Sequence, residues 1–599
     1  MLPDSNVINQ ESIFRKAWNL SKKYLIESDE RYKAWLLLLG TLILILSMVG
    51  LQVVFAWSMN GFWAALSSKS WVLFGESIGV FCGVLFVQNV VGYVKDYFLG
   101  VLYANWKASL LKYFSDKNFK DDNYLRMKRE NLNSEIPILN DVDTFVKTTL
   151  YRGSYFLNTV FKLISFTSSL WIVGGGISFV LGGVGIFIPG YLVWIAIIFA
   201  LSGTYISHKI GKPLSETNKD IAASEANFNK ERSVVEQQAE NIALEKGEEF
   251  HSKSETAIIN SNEEYILESN SIKVLLERFQ YLYSSFAGIF PYIAAAPLYF
   301  VGQIEMGELM QIGYAFGEVF DSLNWFSDNY VPMLTFRDAI NRLSALDYHL
   351  NNNCLSEGSK INFIPNPLGS ENIHIQNLTF QYPNSTSAIF NGTDVTFKKG
   401  EHTVIKGNSG SGKSTLFKVL AKTYQNGSGD VYLPNESDMC FLAQTPVLFK
   451  KPLKAMLAYP DTEDKYEDGD YERVLAQVLM DDFIKHLFNE PDNGSWFDNV
   501  SPGQKQKIAL ARALLKKPKW LFLDEATASL DDGAEKSLYE LIQSELPETT
   551  IVSIAHKPSV EQYHRKTLIY YNGLFKLPEE MLLNEQPLPF NTGSLRASV

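Results

Sequence analysis

Residues 407–415, Gly-Asn-Ser-Gly-Ser-Gly-Lys-Ser-Thr, limit the possible folds of this chain more than any other segment. They fit the pattern G-x-x-x-x-G-K-[ST], in which glycines let backbone N–H groups approach phosphate oxygens and the lysine faces the outer phosphates. A strand-like stretch precedes the loop and a stretch with helical spacing follows it, so bound phosphates would lie at a helix N-terminus. A glycine-rich turn without nucleotide is the alternative, which this context disfavours. The predicted nucleotide contacts are Gly407, Asn408, Ser409, Gly410, Ser411, Gly412, Lys413, Ser414 and Thr415.

Long apolar runs fill the first half of the chain, whereas charged residues dominate the second half. About 20 apolar residues are enough to cross a bilayer as a helix. Six such runs occupy residues 35–57, 71–94, 155–173, 189–206, 281–301 and 309–326. Before them, residues 12–26 alternate apolar and basic side chains, which suits a helix on the membrane surface and equally a soluble helix.

Lysine and arginine are concentrated between the second and third runs and between the fourth and fifth, while residues 174–188 carry no charge. By the positive-inside rule, both long polar segments and both termini are cytoplasmic. The two segments hold helical periodicity, so we expect them to extend the membrane helices into the cytosol, with tips near 118–122 and within 213–229. Solvated loops are the alternative, although structureless loops of this length are uncommon.

The length of 599 residues exceeds what one hydrophobic core supports. The predicted parts are a cytoplasmic or interfacial segment 1–34, a six-helix transmembrane domain 35–347, a linker 348–370, a nucleotide-binding domain 371–576 and a tail 577–599. The fold class is therefore a membrane α-helical domain, with six transmembrane helices and long cytoplasmic extensions, fused to an α/β P-loop ATPase.

Composition excludes some classes of partner and site. The net charge of −12 argues against a nucleic-acid partner, which normally requires a basic face. The three cysteines, Cys82, Cys354 and Cys440, lie far apart, so neither a disulfide framework nor a zinc site is expected.

Two carboxylates follow an apolar strand-like segment at residues 520–523. We expect Asp524 to hold Mg²⁺ together with Ser414, and Glu525 to orient and deprotonate the attacking water. A surface acidic pair is the alternative, and the apolar segment directly before the pair disfavours it.

Three more side chains lie where a nucleotide site needs them. Gln444 ends a strand-like stretch and can reach both Mg²⁺ and the attacking water. His556 follows another, where an imidazole can hydrogen-bond the γ-phosphate. Tyr382 ends a third, where its ring can stack on adenine. The alternative for the histidine and the tyrosine is an ordinary structural role.

Residues 500–504, Val-Ser-Pro-Gly-Gln, resemble the signature motif of ATP-binding cassette (ABC) transporters, which is usually Leu-Ser-Gly-Gly-Gln. Pro502 is the main departure, because proline lacks an N–H, although it suits the first turn of a helix. In this family the motif faces the phosphate loop of a second ATPase domain, so the resemblance implies nucleotide contacts from Ser501, Gly503 and Gln504.

The resemblance also implies a half-transporter, because the chain carries one ATPase domain and six predicted crossings. Such a chain must form a homodimer to complete its two ATP sites. Residues 528–531, which include Ser529 and Asp531, follow the catalytic pair and can cross to the partner subunit.

The membrane half narrows the resemblance. Residues 24–35 and 103–110 resemble the SbmA/BacA-like membrane domain of bacterial peptide and cobalamin transporters, residues 336–346 are similar to its closing segment, and residues 131–136 match loosely. This implies ATP-driven uptake of peptides or cobalamin-like cargo across the bacterial inner membrane. The alternatives are an exporter of lipid, fatty-acyl or drug-like cargo, and an ATP-gated channel or regulator, which would not need the catalytic base Glu525.

Two acidic residues, Glu318 and Asp321, interrupt the sixth apolar run. They are three positions apart and therefore share a helix face, which also carries Tyr314 and Trp325. Because ionised carboxylates facing lipid are costly, we expect this face to line a cavity for small-molecule or peptide cargo. The alternatives are a helix that begins near Phe316, with the acids at its mouth, and a carboxylate that carries a proton with the cargo.

Overall fold

The computed structural model describes residues 12–120, 123–129, 138–181, 184–351, 360–367, 370–382, 387–488, 496–497, 500–525, 532–571 and 573–579. The chain divides into two compact units, Met1–Cys354 and Leu355–Val599. This division falls within the segment that the sequence analysis treats as a linker. The first unit is almost entirely helical, and the second combines strands and helices.

The helices of the first unit are α1 Ile13–Leu25, α2 Arg31–Ser67, α3 Trp71–Phe119, α4 Asn123–Arg129, α5 Ile138–Lys147, α6 Gly153–Gly174, α7 Tyr191–Gly211, α8 Leu214–Gln237, α9 Ala239–Glu245, α10 Glu248–Phe300, α11 Met306–Asp328 and α12 Tyr330–Asn351. A π-helical turn, Thr148–Arg152, joins α5 to α6. By length and composition, four helical stretches among the described residues suffice to cross a bilayer: Arg31–Ser67, Trp71–Phe119, Ile138–Val173 and Tyr191–Gly211. The fifth predicted crossing ends one residue beyond α10, and the sixth lies within α11. Neither is among these four stretches, so the count of six stays a prediction.

Helix α1 confirms the helix predicted at residues 12–26. The Ser12 hydroxyl accepts a hydrogen bond from the Arg15 N–H at its start, as expected of a serine at this position. Its buried face packs against α3, where the Tyr24 ring stacks on Trp106 at 5.6 Å between centroids. Its other face keeps Phe14 and Trp18 exposed, so the helix is amphipathic in its packing as well as in its sequence.

The long helices of the first unit pack lengthwise but leave wide apolar faces uncovered. Helix α2 packs along α3, and α11 packs against α2, α6, α7 and α10. Large side chains such as Trp71, Phe86 and Ile172 stay exposed. A bilayer, unlike water, is a favourable environment for such faces.

Two local expectations for the first unit differ from the structure, and one further segment adopts a structure that the sequence analysis did not predict. The uncharged segment before the fourth run forms a β-hairpin, with β1 Gly176–Leu181 antiparallel to β2 Val184–Pro189. The tip of the second long polar segment lies at residues 238–247, where Lys246 adopts a positive φ of 55°, and not within 213–229, because α8 continues to Gln237 and packs along α10. Helix α11 begins at Met306, so the acids do not lie at a helix mouth near Phe316.

The predicted linker 348–370 is also shorter than expected. Helix α12 continues to Asn351, and strand β3 joins the sheet of the second unit by pairing in parallel with β7. Residues 362–365 therefore belong to the second unit, because their main-chain groups complete a sheet edge.

The strands of the second unit are β3 Asn362–Pro365, β4 Ile373–Phe380, β5 Phe390–Phe397, β6 Thr403–Lys406, β7 Ser428–Leu433, β8 Met439–Leu442, β9 Trp520–Asp524, β10 Thr550–Ile554, β11 Lys566–Tyr571 and β12 Leu574–Lys576. Its helices are α13 Lys413–Leu420, α14 Leu453–Ala458, α15 Asp468–Gln477, α16 Lys485–Phe488, α17 Pro502–Lys516 and α18 Asp532–Glu545.

Two sheets organise this unit. A six-stranded sheet has the order β12-β11-β6-β10-β9-β8, and a four-stranded sheet has the order β3-β7-β4-β5. Strands β11, β6, β10, β9 and β8 run parallel, and only β12 is antiparallel. Every residue of β6 and β10 is buried, which is typical of central parallel strands covered on both faces. Their carboxyl ends consequently meet at one edge of the sheet.

Candidate functional site

The residues predicted to bind and hydrolyse nucleotide converge where β6, β9 and β10 end. The phosphate loop follows β6, the pair Asp524 and Glu525 closes β9, and His556 lies two residues after β10. In open parallel sheets, ligands bind beyond the carboxyl ends of the strands. The topology therefore assembles, from distant parts of the sequence, the site that the motifs predict.

The phosphate loop turns directly into helix α13. Gly412 has a φ of 115°, and a Cβ atom there would lie 2.4 Å from Ile389 Cγ2, so no other residue fits without displacing its neighbour. Lys413 is buried, and its ammonium donates hydrogen bonds to the carbonyls of Gly407 at 2.9 Å and Asn408 at 2.7 Å. The main chain thus holds the lysine over the loop.

Two oxygen ligands suited to Mg²⁺ lie side by side at the loop. The Ser414 hydroxyl donates to Asp524 Oδ1 at 2.7 Å. Burial raises the pKa of the Asp524 carboxyl, and the bond from Ser414 opposes this rise. Hydroxyl and carboxylate oxygens are hard ligands of the kind Mg²⁺ prefers, so the donor set fits the ion. Gln444 lies nearby, because its amide reaches Glu525.

Glu525 is held by two residues that come from different strand ends. The Gln444 amide donates to Glu525 Oε2 at 3.1 Å, and His556 Nε2 lies 3.2 Å from Glu525 Oε1. Glu525 itself has a φ of 49°, in a region that residues other than glycine rarely adopt. Such backbone strain is typical of functional sites. The three predicted catalytic residues therefore form one cluster.

Tyr382 lies beside the phosphate loop, but its ring is already packed against protein. Its hydroxyl lies 2.9 Å from the Thr415 hydroxyl, and its ring meets Phe380 and Tyr424 at near-perpendicular angles. Stacking of the Tyr382 ring on adenine stays a prediction, and the ring would have to stack while it keeps its contacts with Phe380 and Tyr424.

The signature motif begins helix α17. Ser501 and Gln504 form a reciprocal capping box: the Ser501 hydroxyl accepts from the Gln504 N–H at 3.2 Å, and the Ser501 N–H donates to Gln504 Oε1 at 2.9 Å. Pro502 is the first helical residue and Gly503 the second. Proline is well tolerated at this position, so Pro502 does not disturb the helix. Ser529 and Asp531 lie outside the described residues.

Sequence reasoning gave no role to Arg512, which connects the signature helix to the chain after Gln444. Its guanidinium donates to the carbonyls of Met456 at 2.8 Å and Val447 at 3.0 Å. Burial lowers the pKa of Arg512 to about 10. A basic residue on the apolar side of α17 was the available signal.

In the first unit, Glu318 has a partner that sequence reasoning also missed. Lys162 of α6 lies 2.8 Å from Glu318 of α11, and both side chains are largely buried. Asp321 is exposed instead, so the structure does not bring the two acids together in one environment. A single lysine inside the apolar run 155–173 was the signal that could have revealed the pair.

Comparison with known proteins agrees with this organisation. Residues 390–528 match the ABC transporter family, and residues 22–300 match the ABC transporter transmembrane region 2 family. An uncharacterized ABC transporter ATP-binding protein of Synechocystis sp. is 30% identical, with 90% of this chain and 81% of that protein covered. The chain therefore belongs to the ABC transporters.

Other relatives extend the comparison. The inner membrane ABC transporter ATP-binding protein YddA of Escherichia coli is 29% identical over 88% of this chain and 92% of its own length. The chloroplastic ABC transporter D family member 2 of Arabidopsis thaliana is 25% identical over 93% and 86%, respectively. A solved bacterial Atm1-family ABC exporter with ATP bound has the same fold, with a TM-score of 0.70 at 16% identity, covering 92% of this chain and 96% of that one.

The chain is thus a multi-pass membrane protein in which an ABC ATPase domain couples ATP hydrolysis to transport. The matches bear out the wider ABC assignment. They do not extend to the narrower resemblance to SbmA/BacA-like proteins.

Proposed function

We propose that the protein works as a homodimer that moves cargo across the bacterial inner membrane, with two ATP sites shared between the subunits. The single observation that carries this is the position of Ser501 at the N-terminus of α17, capped and exposed. A helix N-terminus favours a bound anion, and each chain carries only one such motif and one phosphate loop. One subunit would supply Lys413 and the other Ser501.

The roles of the chain's own side chains follow from their contacts. Lys413 neutralises the outer phosphates, and Glu525 takes the proton from the attacking water, held in orientation by Gln444 and His556. Ser414 and Asp524 would hold Mg²⁺, which neutralises phosphate charge when bound. Closure of the two subunits would bring the signature helix of the partner to the γ-phosphate and complete the site for hydrolysis.

Export is the first candidate for the direction of transport. It is supported by the fold shared with an Atm1-family exporter and by relatives of the ABC D family. Lipid, fatty-acyl or drug-like molecules are the cargo classes of this candidate. Uptake of peptides or cobalamin-like cargo is the second candidate, supported by the resemblance of residues 24–35 and 103–110 to that group of membrane domains.

Sealed proteoliposomes with the ATPase domains outside would distinguish the two directions. External ATP should drive an exported cargo into the vesicle lumen, whereas an imported cargo preloaded in the lumen should leave. The panel should hold a fluorescent lipid, a fatty-acyl ester, a peptide and a corrinoid, with Glu525→Gln as the inactive control. ATP hydrolysis without movement of any member would contradict the cargo classes proposed.

Cross-linking between two tagged chains tests the homodimer. With the native cysteines replaced, one chain carries Ser411→Cys and the other Ser501→Cys, both in a Glu525→Gln background. We expect an ATP-dependent disulfide between the two tags. A matched control pairs Ser411→Cys with Ser544→Cys, an exposed position on α18. The absence of an ATP-dependent disulfide between the two tags, or an equal yield in the Ser544 control, would contradict the shared site.

A further inference from the structure

A large apolar pocket lies in the first unit, away from the Lys162–Glu318 pair. Its volume is about 730 Å³, and its walls come from α1, α2, α3, the π-helical turn, α6, α11 and α12. This volume is within the range of sites that hold small molecules. Its lining residues include Trp18, Ser21, Thr41, Thr149, Arg152 and Leu157.

The hydroxyl groups in the wall are already satisfied by their own helices. Ser21 donates to the Ala17 carbonyl at 2.8 Å, Thr41 to Leu37 at 2.8 Å and Thr149 to Phe145 at 2.7 Å. The wall therefore presents mainly hydrocarbon to an occupant. Trp18 and Leu157 are 46% and 41% exposed, so the pocket opens to the outside of the unit.

Arg152 supplies a positive charge at this pocket. It ends the π-helical turn and is exposed, and its guanidinium donates to the neutral Asn329 Oδ1 at 2.7 Å. Among the described residues, Arg152 has no carboxylate partner. The positive charge beside the apolar wall is consequently not neutralised by the described part of the chain.

The pocket lies where the predicted orientation places the cytoplasmic membrane surface. Its walls include the first turns of the predicted crossings 35–57 and 155–173, both of which start on the cytoplasmic side, and the amphipathic helix α1. The cytoplasmic leaflet carries anionic lipids, and basic pockets between membrane helices at this depth bind their head groups.

We propose that this pocket binds an anionic phospholipid of the cytoplasmic leaflet, with an acyl chain along the apolar wall and the head-group phosphate on Arg152. The charge and the apolar wall together select this occupant, because the choline cation of a zwitterionic lipid offsets the attraction of its phosphate for Arg152, and a soluble phosphate would leave the wall exposed. The site rests on the predicted orientation and is independent of the cargo.

Tryptophan fluorescence can locate the lipid. The full-length protein is reconstituted in phosphatidylcholine nanodiscs with a minor fraction of acyl-brominated phosphatidylglycerol or, separately, acyl-brominated phosphatidylcholine. The part of the quenching that disappears in Trp18→Phe reports contact at the pocket. We expect brominated phosphatidylglycerol to quench this part more strongly than brominated phosphatidylcholine.

Variants of Arg152 test the head-group contact. Arg152→Gln should lower the preference for phosphatidylglycerol roughly fivefold, since one basic side chain near a membrane contributes about that factor. Arg152→Lys should keep most of the preference. Arg31→Gln is the matched control, because Arg31 is exposed at the start of α2 but does not line the pocket.

Three results would overturn the proposal. The preference could be the same in Arg152→Gln as in the wild type, or it could fall equally in Arg31→Gln, which would mean general surface attraction. The third result is the absence of Trp18-dependent quenching by either lipid, which would mean that a second copy or another protein segment covers the pocket. None of these results would affect ATP-driven transport, which is measured separately.

Discussion

The two units of this protein position their charged residues in different ways. In the ATPase unit, Lys413, Asp524 and Glu525 lie at or beyond the carboxyl ends of two parallel strands of one sheet, so strand order brings them together. In the membrane unit, Lys162 and Glu318 belong to helices α6 and α11, and only their lateral packing pairs them. Charges at strand ends can be located from local sequence, whereas charges on packed helices need the tertiary structure.

The largest effect should come from breaking the cluster at the strand ends. We expect Glu525→Gln to lower ATP turnover by at least about 100-fold, because the variant lacks the base proposed to take the proton from water. ATP binding should persist, since Lys413 and the loop are unchanged. Steady-state hydrolysis and nucleotide binding by the same detergent-purified protein measure the two effects.

Glu540→Gln is the control for this change, because Glu540 is exposed on α18 and, within the described residues, its ion-pair partner is Lys536 at 3.7 Å. It should hydrolyse ATP as the wild type does. Wild-type turnover in Glu525→Gln would show that the cluster of Gln444, Glu525 and His556 is not catalytic.

Much of the ATPase site could be predicted from sequence, because each motif contains both a strand and the functional residue that follows it. The strands before Lys413 and before Asp524 end within a residue or two of where the sequence predicts. Two features could not be predicted from local sequence. Arg512 donates hydrogen bonds to carbonyls more than 50 residues away along the chain. Glu525 adopts a positive φ that no local residue pattern predicts.

The membrane unit was less predictable, since helix length follows from composition but helix partners do not. The helix of residues 12–26 and the apolar helices were found, whereas the Lys162–Glu318 pair was not. The β-hairpin Gly176–Pro189 was also missed, although two apolar β-branched runs around a Gly-Gly pair carry a hairpin signal. The lack of charge in residues 174–188 does not by itself predict strands.

Breaking the helix-borne pair should have the next largest effect. Lys162→Met or Glu318→Gln alone leaves a buried charge without its partner, which typically costs about 3–5 kcal/mol. We expect each single change to lower the thermal unfolding midpoint and impair transport. The double variant Lys162→Met/Glu318→Gln should recover much of the stability.

Asp321→Asn gives the comparison within the same helix, because Asp321 is exposed and three residues from Glu318. It should change stability little, and its effect on transport tests whether this face contacts cargo. Equal losses for Asp321→Asn and Glu318→Gln would indicate that burial of the pair is not what matters.

A buried histidine in the ATPase unit adds a pH-dependent contribution to the stability of that unit. His564 Nε2 lies 2.9 Å from the Ser553 hydroxyl, and burial lowers its pKa to about 4. The unfolded chain takes up the proton below pH ~6.5, whereas the folded one does so only near pH 4. The stability from neutral His564 is therefore complete above the unfolded pKa and is lost as the pH falls towards 4.

We expect the thermal unfolding midpoint of the ATPase unit in the full chain to decrease as the pH is lowered from neutral to about 5. His564 should account for roughly 1–3 kcal/mol of the accompanying loss in the free energy of unfolding. Amide hydrogen exchange in β10, measured across this pH range, would report the loss of stability as faster exchange at lower pH. His564→Gln should flatten this pH dependence. An unchanged slope in that variant would assign the pH dependence to other groups, such as His402, whose pKa burial also lowers.

The smallest effect concerns Pro502, which in the proposed homodimer would face the strand-end site of the other subunit. Pro502→Gly adds an N–H at the first turn of α17 and should strengthen the hold on a γ-phosphate. The gain of a hydrogen bond to a charged group exceeds the cost of added backbone freedom, so we expect half-maximal hydrolysis at a roughly two- to fivefold lower ATP concentration. Pro502→Ala separates the gained hydrogen bond from the added backbone freedom, because alanine restores the N–H and also favours the helix. Since the Ser501–Gln504 capping box does not use the residue 502 N–H, it should survive in both variants. A lower ATP requirement in both would support the missing N–H as the cause; an unchanged or higher requirement in both would show that the proline costs the site nothing.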